Sequence, residues 1–263
     1  MLRGVINEVP TWLLIPTVVV LTIGIVLLAV WLVRRLLPAV GEGFDAEVAS
    51  QMLGVVAALF GLLLAFIIVI GYQNFVSADE NVSREADDLA TIVRDSGAFS
   101  QPEGDRVRRA VGAYVRLVVD EEWSRMRDGH DSPQAWAAVD DLYAAVQDVQ
   151  PGSPREVAFH ENTVERLNEA LAARRDRLDT AEGGLPGLVA ALLIAGSIVI
   201  LGYSVLVGSS SFGFHALGAG AIALILALSL VVLLDLSYPF SGDLAIEPSP
   251  FKTGALAQFF DSG

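Results

Sequence analysis

The sequence predicts an all-α membrane protein: four transmembrane helices in a 2+2 layout, with an all-helical cytoplasmic region inserted between the second and third spans. Three observations lead there. Stretches free of Asp, Glu, Lys and Arg occupy 12–33, 52–72, 185–207 and 214–234, each near the roughly 20 residues that carry a helix across ~30 Å of hydrocarbon. They are continuous rather than alternating, which fits helices and not the strands of a barrel. The polar stretch 73–184 carries helical periodicity punctuated by Pro and Gly. The expected divisions are an N-terminal span and extracytoplasmic loop (1–50), a second span continuing into a cytoplasmic helix (51–95), a helical cytoplasmic domain (96–184), the third and fourth spans (185–237) and a cytoplasmic tail (238–263).

The first span is too long for a signal sequence and ends in Trp31 and Arg34-Arg35 rather than small residues, so it is expected to stay as an anchor. Trp12 and Trp31 suit the two interfacial belts, and Pro16 lies near the helix start. The loop 38–50 contains Gly41-x-Gly43-x-x-Ala46, a superficial dinucleotide fingerprint. With no strand before it and no βαβ unit around it, it reads as a turn.

The second span, Gly54 to Tyr72, runs without Pro or Gly from Gln73 to Arg94, so one continuous helix is expected to pass from lipid into water. Ser77-x-x-Glu80 resembles a capping box that such a helix would override. A break is expected at 96–104, where Gly97, Pro102 and Gly104 cluster. Residues 107, 111, 114, 115, 118, 119 and 123 form the next helical stripe, ended by Gly129. Ser132-Pro133 opens a helix with Trp136, Val139, Leu142, Tyr143 and Val146 inward. Ser153-Pro154-Arg155-Glu156 opens another that runs to about Glu182, before Gly183-Gly184. In the later spans, Ala191-x-x-x-Ala195 and Ala219-x-x-x-Ala223-x-x-x-Ala227 are small-residue rows suited to close helix packing. The connection from Gly208 to Gly213 permits only an antiparallel pair.

The chain has no cysteine, which excludes disulfides, thiolate metal sites and thiol catalysis. Its net charge of −14 argues against nucleic acid and against a polybasic lipid-binding role. Sixteen of its 17 basic residues are Arg, the exception being Lys252. Arg3, Arg84, Arg94, Arg166, Arg174, Arg175, Arg177 and Lys252 lie on one side of the expected topology, against Arg34 and Arg35 on the other. The positive-inside rule therefore puts both termini and the 73–184 region in the cytoplasm, in a multi-pass protein of the cytoplasmic membrane. Residues 73–184 hold 13 Arg against 23 Asp plus Glu, a net of −10. Singly these are solvated helix faces; summed over several copies they make a cation-attracting field. Asp235, at the end of the fourth span, is costly if unpaired. A cap or an ion pair with Arg94, Arg174, Arg175 or Arg177 is expected there.

No enzyme signature emerges. His130, His160 and His215 are dispersed, no Walker loop or nucleophile elbow is present, and neither a cofactor nor a metal is expected. The informative pattern is a helical wheel of the second span. Gly54, Ala57, Ala58, Gly61 and Ala65 share one face, expected to pack against other helices. The opposite face carries Leu59, Leu63, Phe66 and Ile70, and continues past the membrane as Gln73, Asn74, Ser77, Asn81, Arg84 and Asp88. Two readings fit. Several copies around an axis would make the bulky residues a hydrophobic constriction and the polar ones a wet vestibule. Alternatively, the bulky face meets lipid and the polar part meets cytoplasm.

Phe60-Gly-Leu-Leu-Leu-Ala-Phe66, Phe75, Arg84-Glu-Ala86 and Ala90-Thr91 with Arg94 resemble the signature of the uncharacterised bacterial bestrophin-like domain family. Asp235 and Pro239-Phe240-Ser-Gly242 resemble that family's element after its last span. The resemblance covers roughly 48–251. More distantly it implies a likeness to bestrophins, pentameric ion channels whose second helix lines the pore and carries a hydrophobic neck. No match to the acidic calcium-binding segment of animal bestrophins is seen, so calcium gating is not implied. With the resemblance, the expectation is a homo-oligomeric, pentameric ion channel in the lipid bilayer, passing inorganic ions with a leaning to cations. The alternative is a non-conducting scaffold or sensor whose cytoplasmic helices bind a partner protein.

Overall fold

A computed structural model of the chain describes residues 2–36, 46–207 and 211–260. Among the described residues every regular element is a helix, with no strand: α1 (Leu2–Glu8), α2 (Thr11–Leu36), α3 (Ala46–Asp95), α4 (Gln101–Leu117), α5 (Trp123–Met126), α6 (Pro133–Gln147), α7 (Pro154–Glu182), α8 (Gly187–Leu206) and α9 (Phe212–Leu236). Four of these stretches are long and apolar enough to cross a membrane: α2, the first part of α3, α8 and α9. Gly41 and Gly43, and residues 208–210 of the Gly208–Gly213 connection, lie outside the described residues.

The chain forms two compact units. One comprises 8–74 and 185–237. Its core is small: Val26, Val30 and Val205 meet Ala219 and Ala223, while Leu64, Leu193, Ile200, Leu226 and Leu233 form a second cluster. Ala219, Ala223 and Ala227 are all buried, so this row does bring α9 close to its neighbours. Ala191 and Ala195 are exposed, because α8 turns Leu193, Ser197, Ile200 and Ser204 inward instead. His215 closes the α8–α9 end, its Nε2 donating to the Ser204 carbonyl at 2.9 Å. Large exposed apolar side chains such as Trp12, Val20, Ile25, Leu188 and Phe214 crowd this unit. Such a surface is stable in hydrocarbon and costly in water.

The other unit comprises 1–7, 75–184 and 238–263. Two of its helices, α6 and α7, start where the sequence predicts. Ser132 Oγ accepts from Ala135 N at 3.1 Å, and Ser153 Oγ from Glu156 N at 3.2 Å, each followed by Pro in the first turn. Glu156 completes the second cap by accepting from Gly152 N at 2.6 Å. Gly129 ends the α5 region at φ 79°, a left-handed conformation that glycine adopts without strain.

Several expectations shift. Helix α3 starts at Ala46, inside the expected loop, and continues unbroken to Asp95, overriding Ser77 as a cap. Pro16 lies inside α2, beyond its first turn. The break after α3 is shorter than 96–104: α4 begins at Gln101, with Pro102 in the first turn, where no amide is lost. Gly104 sits there for closeness, since a Cβ would come 2.2 Å from the Ser96 carbonyl oxygen. Trp136 is not a core residue, being over a third exposed.

Candidate functional site

Along its apolar half, α3 buries Leu64 and half-buries Leu53, Ala57, Phe60 and Ile67 against α8 and α9. The inward side is therefore about a quarter turn from the expected small face. The closeness is supplied by the partner helix: a Cβ on Gly196 would come 2.1 Å from Phe60 Cε2, so the glycine on α8 makes room for a ring on α3. Gly71 helps on α3's own side, sitting against Leu233 and Leu236. Of the small face, Ala57 is half-buried, whereas Gly54, Ala58, Gly61 and Ala65 are exposed, and space is open around Gly54 and Gly61.

The bulky face is also uncovered within the chain: Leu59, Leu63, Phe66 and Ile70 are exposed, Leu59 at 65% and Phe66 at 61%. Gln73, Asn74, Ser77 and Arg84 continue it as exposed polar residues. Asn81 and Asp88 do not: both are buried. Asn81 Oδ1 accepts from Arg84 Nη1 at 3.1 Å, and Asp88 Oδ1 from Arg166 Nη1 at 3.2 Å. Burial, with Glu169 and Asp87 nearby, holds the Asp88 carboxyl above the usual carboxylate range despite the hydrogen bond from Arg166. Asp235, at the end of α9, is half-buried and is not without a partner. Arg174 and Arg177, two of its expected partners, are committed elsewhere.

Those two arginines are the centre of an ionic core that the sequence reading missed. Helix α3 contributes Glu85, α4 Tyr114 and α7 both arginines, and all four side chains are buried. The fifth member, Glu122, comes from a single wide turn, Val118–Glu122, inserted between α4 and α5. Such π turns add a residue to a helix and re-aim the side chain that follows. Glu122 is buried at this turn, on the same face as Val118 and Met126.

Arg177 donates through Nε to Glu85 Oε2 at 2.7 Å, and through Nη2 to Glu85 Oε1 at 3.1 Å and Glu122 Oε1 at 2.9 Å. Arg174 donates to Glu122 through Nη2. The Tyr114 hydroxyl donates to Glu85, and Ser132 N points at Glu122 Oε2 from 3.4 Å. Two guanidiniums thus balance two carboxylates. Burial alone would lower the pKa of Arg177, but Glu85 and Glu122 outweigh it and hold the guanidinium above its ordinary value. Burial, reinforced by Glu85, pushes the Tyr114 hydroxyl well above the usual phenol range. Aromatic rings close the site: Trp136 lies 4.1 Å from the Arg174 guanidinium, and Trp123 5.3 Å from that of Arg177. Trp123 meets Phe240 and Phe251 edge to face and donates to the Ile246 carbonyl at 3.1 Å, tying the segment after α9 to the core.

The arrangement is electrostatic: a charge-balanced, buried clamp that fixes α3, α4 and α7 to one another. Glu122 was detectable in sequence as a charge on the stripe 111, 115, 118, 122, 126, and Arg174 and Arg177 as charges three apart on one helix face.

No curated protein matches the chain. Among solved structures, it resembles a bacterial bestrophin homologue from Klebsiella pneumoniae carrying an isoleucine-to-threonine mutation, at TM-score 0.69 and 15% identity over 94% of this chain and 99% of that one. A membrane protein with a proline-to-alanine mutation matches at TM-score 0.66 and 14% identity, over 94% of this chain and 97% of that one. These likenesses concern the fold. A family model, the Bestrophin-like domain, matches residues 20–251, and the chain belongs to the Bestrophin-like domain family.

Proposed function

We propose that the protein is a homo-oligomeric ion channel of the cytoplasmic membrane, pentameric by likeness to bestrophins, with α3 lining the pore. The carrying observation is the uncovered face of α3, large and apolar from Leu59 to Ile70 and polar from Gln73 onward, on one helix without a break. In a ring, Leu59, Leu63, Phe66 and Ile70 form the hydrophobic constriction, and Gln73, Asn74, Ser77 and Arg84 the wet vestibule. Asn81 and Asp88 are covered within their own chain and are left out of that lining. The open small face at Gly54, Ala58, Gly61 and Ala65 supports assembly, since a neighbouring copy's helix can approach it closely. Both termini and residues 73–184 lie in the cytoplasm, inserted between two pairs of spans. The excess of acidic residues in 73–184, 23 against 13 Arg, supports cation conduction.

The test is ion release from liposomes holding the purified protein. The channel reading predicts flux above empty vesicles, changed by Leu63→Ala and Phe66→Ala. Release equal to empty vesicles for the wild type and both variants sinks it and favours the scaffold reading.

A further inference from the structure

We propose that a groove on α4, lined by Arg108, Arg109, Gly112, Arg116, Gln258 and Phe259, binds a small phosphate-class oxyanion. The residues at 105, 108, 109, 112 and 116 share one face of α4. Gly112 lets the C-terminal segment dock there: a Cβ would come 2.7 Å from Phe259 Cδ1, so the ring seats directly on the helix. The resulting groove encloses about 290 Å³. That is the lower end of small-molecule pockets, which run from about 300 Å³.

Three guanidiniums meet one carboxylate around it. Asp105 is paired with Arg108 at 3.0 Å, and Arg108 also donates to Ser96 Oγ at 3.3 Å. Arg116 donates from Nη1 to the Phe259 carbonyl at 3.4 Å, a weak contact that leaves its other N–H groups available. Arg109 is exposed and makes no ion pair or side-chain hydrogen bond among the described residues. Arg106, one position before the apolar Val107, shows the ordinary outcome for a solvated arginine here, pairing with Asp148 at 2.8 Å.

In a chain of net charge −14, an arginine cluster at a groove with one carboxylate among the described residues runs against the electrostatic background. It survives as a site where the missing acceptor comes from outside. Guanidiniums suit phosphate because their planar N–H pairs bind its oxygens bidentately. That oxyanion is either a free phosphate compound or a lipid headgroup. The proposal does not depend on conduction.

The test uses the full-length protein in phosphatidylcholine nanodiscs, titrated calorimetrically with inorganic phosphate and with pyrophosphate. Wild type and Arg155→Gln are expected to bind saturably and alike. Arg109→Gln/Arg116→Gln, a double change of exposed side chains, is expected to bind at least about tenfold more weakly, since charge-assisted hydrogen bonds are lost. A second arm compares melting in nanodiscs with and without phosphatidylglycerol. Stabilisation of the wild type but not the double variant by that lipid, without binding of free phosphate, assigns the groove to a headgroup. No binding of either phosphate and no lipid-dependent difference between wild type and double variant overturns the proposal.

Discussion

Arg177→Met is the sharpest perturbation of the ionic core. Methionine fills a similar volume but removes three hydrogen bonds to Glu85 and Glu122, at 2.7, 3.1 and 2.9 Å. It also leaves Glu85 without a guanidinium, held only by the Tyr114 hydroxyl, and Glu122 with Arg174 alone of the two. Breaking a buried ion pair from one side costs about 3–5 kcal/mol, and the loss of a partner to both carboxylates puts the expectation at the upper end. At roughly 2–4 °C per kcal/mol for units of about 150–250 residues, the melting midpoint should fall by about 10–20 °C. Intrinsic fluorescence reads this directly, because two of the four tryptophans, Trp123 and Trp136, stack on the arginines involved. Glu85→Gln/Arg177→Met removes one charge of each sign and restores balance, so it should recover roughly 1–3 kcal/mol relative to the sum of the single changes. A midpoint for Arg177→Met within about 2 °C of wild type would refute the reasoning, because a buried charge left without its partner cannot be that cheap.

Gly196→Ala should drive a Cβ into the Phe60 ring and cost about 1–3 kcal/mol, read as a lower melting midpoint in detergent; Gly196→Ala with Phe60→Leu should recover part of it. Tyr114→Phe removes a buried hydrogen bond to a carboxylate and should destabilise by roughly 1.5–3 kcal/mol in the same assay. For Asp88, the folded pKa lies above the unfolded value, so its contribution is fully present below the unfolded carboxylate range and is lost as pH rises through the folded pKa. The melting difference between wild type and Asp88→Asn should therefore move against the wild type as pH rises from 3.8 towards neutrality; a pH-independent difference would show that Asp88 is not perturbed.

The membrane half was legible because lipid imposes a simple code. A helix in hydrocarbon needs an uninterrupted apolar run, and four such runs stand out by composition alone. Helix starts in the polar half were legible for a similar reason: Ser132 and Ser153 announce caps chemically. Facing was harder. The wheel placed Gly54 and Gly61 on the packed side, because small residues permit close approach. Packing within the chain instead follows Phe60 into the space made by Gly196, a pairing that depends on the partner helix. The ionic core was hidden for two reasons. Arg174 and Arg177 look like surface charges on an acidic helix, and Glu122, although it lies on the stripe of 111, 115 and 118, becomes a core residue only because α7 brings those two arginines to it. Asp88 and Asn81 lie on the polar continuation of α3, but α7 supplies Arg166 to cover Asp88, and sequence spacing on one helix cannot show what another brings to it.

Whether α3 lines a conducting pore is decided by current across a planar bilayer containing the purified protein. A cation pore lined by α3 gives discrete currents under a potassium chloride gradient, with a reversal potential on the potassium side and altered conductance in Leu63→Ala/Phe66→Ala. A bilayer that stays silent with demonstrably inserted wild-type and variant protein would contradict it.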